Sequence, residues 1–161
     1  MMRFRREEQW RHKIRLAGLP VDPYINPALE MIANVGRRKE KMKIMRFEDL
    51  ECWQEARRLT RSVYGYTKRS TFSKDYRLSG QITGAAISTM NNICEGFDSR
   101  SNKEFIRFLI YSRRSCSEVQ NCMYIALDQN YISENEFQNT YDHCAKVRKM
   151  IDGLIRYLKK H

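Results

Sequence analysis

The stretch Gly80-Gln-Ile-Thr-Gly-Ala-Ala-Ile-Ser-Thr-Met-Asn-Asn-Ile-Cys-Glu-Gly-Phe97 constrains the fold more than any other part of the chain. Leu78, Ile82, Ala85, Ala86, Thr89 and Ile93 recur at helical spacing, which predicts a helix with one apolar face. Gly80, Gly84 and Ser88 stand four apart on a second face, where small side chains let another helix backbone come close. Ser88, Asn92 and Glu95 make a polar row beside them. A buried polar group without a partner costs about 1–3 kcal/mol, so this row needs hydrogen bonds wherever it is covered. Ser115 and Glu118 of a later helix are the expected partners, in an internal network that fixes helix packing. A ligand or RNA site, or a polar ring at an oligomer axis, is the competing reading of the same row.

Three more helical patterns surround this one. Leu50, Trp53, Ala56, Thr60, Val63 and Tyr64 form a stripe that opens near Phe47-Glu-Asp-Leu50 and ends around residues 67–69, with Arg57, Arg58 and Arg61 off it. A polar loop, Ser70-Thr-Phe-Ser-Lys-Asp75, leads to the central helix, expected from about Lys74 to Phe97 with Gly96 as its C-cap. Ser101-Asn-Lys-Glu104 is a capping box opening a third helix, whose buried face carries Phe105, Phe108, Leu109, Ser112, Cys116, Val119, Met123 and Ala126. Ser133-Glu-Asn-Glu136 is a second box and opens a fourth, with Phe137, Tyr141, Cys144, Val147, Ile151, Leu154, Ile155 and Leu158 inward. Helices of this length with short loops predict an all-α, antiparallel up-down four-helix bundle over residues 46–161.

Residues 1–45 read as a separate basic arm, helical or flexible. Arg3 to Leu16 suits a basic helix, all three prolines fall between Ala17 and Pro27, and a second short helix fits Ala28 to about Lys41. The arm is open to three roles: binding RNA, docking on the bundle, or remaining disordered. A start of translation at Met42 or Met45 is a further alternative.

The chain carries a net charge of +11. Residues 1–45 hold 11 basic and 5 acidic residues, a net +6, and residues 46–161 hold 19 and 14, a net +5. Excess positive charge points to an anionic partner, nucleic acid being the commonest, or else to a solvated surface. Lys103, Arg107, Tyr111 and Arg114 share one face of the third helix, with Arg100 just before them. Cations interleaved with an aromatic ring suit phosphate contact and base stacking. A weaker candidate is the tail: Lys146, Lys149, Arg156, Lys159 and Lys160.

Five cysteines without a Cys-x-x-Cys pair are expected to be reduced thiols of a cytosolic protein. No metal-ligand cluster, phosphate-cradling glycine loop or nucleophile–base pair is visible, and His143 beside Cys144 lacks further ligand spacing, so no enzyme activity, metal or cofactor is expected. No run reaches the roughly 18–20 apolar residues of a membrane span. Ile87, Met90, Cys94, Ile110 and Tyr124 fall outside the main stripes, which favours neighbours beyond the bundle and hence a homo-oligomer.

From Met45 to Leu158 the chain resembles the four-helix-bundle proteins encoded in intervening sequences of bacterial 23S ribosomal RNA genes. Phe47-Glu-Asp-Leu-Glu-Cys-Trp-Gln-Glu-Ala56 is similar to that family's opening. Ala85-Ala-Ile-Ser88, then Asn92-Ile-Cys-Glu-Gly-Phe97, is similar to its central signature, and Ser101-x-Lys-Glu-Phe105, Arg107-Phe-Leu109 and Ser115-x-x-Glu118 follow at its spacing. The sequence departs from the pattern at Arg114, where glycine is usual, and at Met90 or its neighbour and near Ser73, where prolines are. The resemblance implies a cytoplasmic bacterial protein that forms a ring-like homo-oligomer, a pentamer. The expected function is non-enzymatic binding of structured, ribosomal RNA-related RNA. The alternative is a protein-interaction scaffold, for example the accessory subunit of a reverse transcriptase, as in distantly similar bundles.

Overall fold

The computed structural model describes residues 44–160. The arm expected over residues 1–45 therefore lies outside the described residues, apart from Ile44 and Met45. Ile44 is buried in the bundle core, so the packed unit begins slightly before the expected boundary.

The elements are helices: α1 (Glu51–Thr67), α2 (Tyr76–Asp98), α3 (Asn102–Asp128) and α4 (Glu134–Lys160), with short 3-10 turns at Phe47–Asp49 and Phe72–Lys74. No strand occurs among the described residues. Local chemistry sets each entry. The Asp49 carboxylate accepts from the backbone N–H groups of Met45 and Arg46, both at 3.0 Å, and closes the turn that precedes α1. Asp75 caps α2 by accepting from the Leu78 N–H at 2.9 Å. Ser133 and Glu136 cap reciprocally, Ser133 N to Glu136 Oε2 at 3.0 Å and Glu136 N to Ser133 Oγ at 3.3 Å. The Ser101 box is only half made. Ser101 Oγ accepts from the Glu104 N–H at 3.5 Å, while the Glu104 carboxylate turns away to Arg107 at 2.6 Å.

Each helix packs on its neighbours in sequence, and α1 closes the ring against α4. Bonded pairs fix the directions. Thr60 meets Ala86, Ser112 meets Thr89 while Gln81 meets Glu118, Gln120 meets Tyr141 while Arg113 meets Asp152, and Tyr66 meets Thr140 while Arg69 meets Glu136. Residue numbers rise on one helix as they fall on the other, so neighbours run antiparallel, and α1 and α3 sit on a diagonal. Leu59, Val63, Ile82, Ile93, Phe105, Leu109, Val119, Met123, Val147 and Ile151 fill the centre.

Three expectations change. The loop after α1 is not simply polar: Phe72 is fully buried and stacks on Tyr131 with ring centres 4.8 Å apart. Gly96 is not a C-cap. It lies inside α2, where a Cβ would stand 2.6 Å from Phe105 Cδ2 and 2.9 Å from Phe108 Cβ, so it is small because α3 crosses there. The left-handed residue that closes α2 is Arg100, at φ 55°. Gly80 and Gly84 are exposed, with nothing within 4 Å of an added Cβ, so no helix among the described residues uses their openness.

Candidate nucleic-acid interface

The inward face of α3 is set by Phe105, Leu109, Ser112, Cys116 and Val119, all buried. At 3.6 residues per turn this leaves Lys103, Arg107 and Arg114 opposite, and all three are exposed. Tyr111 lies beside them at 40 % exposure. The Arg107 guanidinium sits 5.5 Å from the centre of the Phe108 ring, and Phe108 meets Tyr111 edge to face at 6.3 Å. Arg100 occupies the turn just before. Lys103, Arg107, Tyr111 and Arg114 thus share one surface, with Arg100 exposed in the turn before it. That surface is less free of acid than the spacing suggests, because Glu104 pairs with Arg107, and beyond Arg114 it turns over to Glu118, Asn121 and Asp128, all exposed.

The antiparallel register of α3 and α4, fixed by the Arg113–Asp152 pair at 3.0 Å, carries the end of α4 to the start of α3. Arg156, Lys159 and Lys160 are exposed there. Lys146 belongs elsewhere. It donates to Glu55 at 2.9 Å, as does His143 Nε2, and Arg58 reaches the same carboxylate. Lys146, followed by His143, holds the Glu55 carboxyl below the ordinary carboxylate range. Nothing in the sequence marks this α1–α4 cluster, because its members lie 88 to 91 residues apart.

The polar row is placed differently from the expected network. Asn92 donates to the Ser88 carbonyl at 2.7 Å within α2, Glu95 is exposed, Ser115 is half-buried, and Glu118 accepts from Gln81. No hydrogen bond runs between the Ser88–Asn92–Glu95 row and Ser115 or Glu118. The polar ties between helices come from other residues. Ser112 Oγ, fully buried, donates to the Thr89 carbonyl at 2.7 Å, and Thr60 Oγ1 donates to Ala86 O at 3.1 Å. Gln120 Nε2 donates to Tyr141 O at 3.2 Å while its Oε1 accepts from Arg148 at 3.0 Å. Each ends on a carbonyl or amide that helix periodicity alone does not reveal.

Cys52, Cys116, Cys122 and Cys144 are buried and Cys94 is half-buried, all as free thiols. Burial pushes the Cys52 thiol up to about 12 and raises Cys94 and Cys122, while the neighbouring Cys116 thiol raises Cys144. Among the described residues no group of three His, Cys, Asp or Glu side chains could hold a metal ion. No helix among them is long and apolar enough to cross a membrane. Of the residues outside the stripes, Ile87 and Tyr124 are exposed, whereas Met90, Cys94 and Ile110 are half-buried.

No curated protein matches the sequence. Among solved structures, the fold is similar to that of a protein of unknown function from the S23 ribosomal protein family of Bacteroides thetaiotaomicron. The TM-score is 0.60 at 19% identity, over 65% of this chain and 98% of that one. The family model for the 23S rRNA-intervening sequence protein matches residues 48–153, which span α1, α2, α3 and most of α4. The chain therefore belongs to the 23S rRNA-intervening sequence protein family.

Proposed function

We propose that this protein is a non-enzymatic, cytoplasmic homo-oligomer, a pentamer, that binds structured RNA through the basic surface at the amino half of α3. The observation that carries the reading is the common exposure of Lys103, Arg107, Tyr111 and Arg114 on one helix face, with Arg100 at its start. The basic end of α4 beside it and the family's link to 23S rRNA support it. The cations of such a surface displace the counterions condensed on RNA phosphates, and the shape of the RNA, rather than its sequence, selects the site. The Arg107–Glu104 pair is no obstacle, since an exposed ion pair is worth only about 0–1 kcal/mol and a phosphate can take the place of Glu104.

The test is binding of a labelled RNA hairpin across a salt series, with light scattering to give the subunit number. The double variant Arg107→Gln/Arg114→Gln should bind more weakly and lower the salt slope by about 2, roughly one for each lost cation. Unchanged affinity and slope would remove this face from the proposal.

A second reading, a protein-interaction scaffold, is favoured by one separate feature. Tyr124, Phe137 and Tyr141 form an aromatic cluster across α3 and α4, with ring centres 4.8 to 5.9 Å apart and Tyr124 half exposed. An acidic protein co-purifying after nuclease treatment would move the assignment to this reading.

A further inference from the structure

The outward face of α1 carries a cationic ladder of its own. The buried side is set by Cys52, Ala56, Leu59, Val63 and Thr67. Arg57, Arg61, Tyr64 and Lys68 fall opposite, within a sector of about 60° and over a length of about 16 Å. All four are exposed, Tyr64 at 38 %. The lower end is built from rings: Phe47 meets Trp53 edge to face at 5.0 Å, and the Arg57 guanidinium lies 5.8 Å from the Trp53 ring centre. The order along the face is aromatic, cation, cation, aromatic, cation.

Two observations separate this ladder from an ordinary solvated face. First, its charges are not neutralised. Arg46, Arg58, Arg69, Arg107, Arg113 and Lys146 are all in ion pairs, and among the described residues Arg57, Arg61 and Lys68 find none. The acid best placed to serve them, Glu55, is turned to the α4 side and engaged by His143, Lys146 and Arg58. Second, the neighbouring helix offers no carboxylate. The Thr60–Ala86 bond seats α1 on α2, and α2 carries no charged residue from Leu78 through Cys94. A polyanion lying along α1 thus meets cations on one side and a neutral, glycine-containing wall on the other.

We infer that Arg57, Arg61, Tyr64 and Lys68 form a second RNA-binding face, diagonally opposite the α3 face. The cations hold consecutive phosphates of a strand and Tyr64 stacks on an unpaired base. The inference rests on the RNA-binding reading above but uses different residues.

The experiment uses the full-length protein and a fluorescein-labelled RNA hairpin with a single-stranded oligouridine flank. Two triple variants are compared, Arg57→Gln/Arg61→Gln/Lys68→Gln on α1 and Lys103→Gln/Arg107→Gln/Arg114→Gln on α3, with thermal melting to show that each is folded. The α1 variant should bind on the order of tenfold more weakly near 0.1 M salt, with a salt slope lower by about 2–3. Tyr64→Ala should weaken binding of the flanked hairpin and Tyr64→Phe should restore it. If the α1 variant matches wild type while the α3 variant is weakened, the second face is overturned and the α3 reading stands. If only the α1 variant is weakened, the ladder stands and the α3 face falls. Wild-type protein that ignores the RNA overturns both.

Discussion

Arg69, just past the end of α1, grips Glu136 in the first turn of α4 through two bonds, Nη1 to Oε2 at 3.0 Å and Nη2 to Oε1 at 2.5 Å. The Ser133 N–H and hydroxyl donate to the same carboxylate at 3.0 and 3.2 Å. Arg69, with Ser133 next, holds the Glu136 carboxyl down at about 2, against an ordinary 4.5. A carboxyl depressed in the folded state stabilises in full above its ordinary range and loses that contribution as pH falls towards the folded value. Both side chains are partly exposed, at 44 and 28 %, so the contribution at neutral pH is at most about 1 kcal/mol. The urea midpoint should fall as pH drops from about 4.5 towards 2, and Glu136→Gln should flatten that fall. A variant that keeps the wild-type pH profile would assign the acid sensitivity to other carboxylates.

The glycines of α2 should respond in opposite directions. Gly96→Ala puts a methyl into the ring and Cβ of Phe105 and Phe108, at 2.6 and 2.9 Å. Overpacking of this kind costs about 1–3 kcal/mol, more than the helix propensity gained. Gly84→Ala meets nothing within 4 Å and should raise the melting temperature of a monomeric sample, by about 0.5–1 kcal/mol of stability. Thermal melts of both variants side by side check the pair, and a stabilised Gly96→Ala protein would contradict the crossing described at that point.

Phe72→Ala should cost about 3–5 kcal/mol, the range for a large buried ring, although the residue sits in a connection between helices. Tyr131, its stacking partner, donates to Asp75 at 3.4 Å, so the same change should loosen the start of α2. Hydrogen exchange at the α2 amino end should quicken more than at its carboxyl end, and uniform exchange along α2 would count against this coupling.

Cys94 should be the first thiol to react in the native protein, because the other four are buried. Burial raises its ionisation above the usual thiol range, and the nearby carboxylates of Asp98, Glu48 and Glu95 add to the effect. The reactive thiolate is therefore scarce at neutral pH, and labelling by iodoacetamide should be slow there and quicken as pH rises. Peptide mass spectrometry after brief labelling identifies the modified residue, and prior labelling of Cys52 or Cys116 would contradict the burial pattern.

What could be read without coordinates was whatever depends on near neighbours in the chain. Helical apolar spacing placed all four helices, and the Ser133–Glu136 box is complete within four residues. The α3 cations share a face because periodicity alone decides that. Missed features depend on what lies across the bundle. A glycine near a helix end looks the same in sequence whether it caps the helix or admits Phe105, and only the α2–α3 crossing separates the two at Gly96. Phe72 looks like a loop residue until Tyr131 arrives from far along the chain. The α1 ladder was visible as arginines off the apolar stripe, but that Arg57 and Arg61 pair with no acid among the described residues follows from Glu55 being engaged by α4.

Ser112 and Thr60 give the bundle something its apolar seams cannot. Slid by half a helical turn, about 2.7 Å, leucine and valine faces would still find grease to meet. A hydroxyl would not find its carbonyl across the seam: Ser112 ends on Thr89 O at 2.7 Å, and Thr60, which also donates to Ala56 O of its own helix at 2.9 Å, reaches Ala86 O at 3.1 Å. The two side chains work as locating dowels at both flanks of α2 and set one axial alignment among several of similar burial. Replacing both with alanine should leave the helix content in place while the spectrum of methyl resonances broadens, the mark of a bundle that is still assembled but no longer indexed.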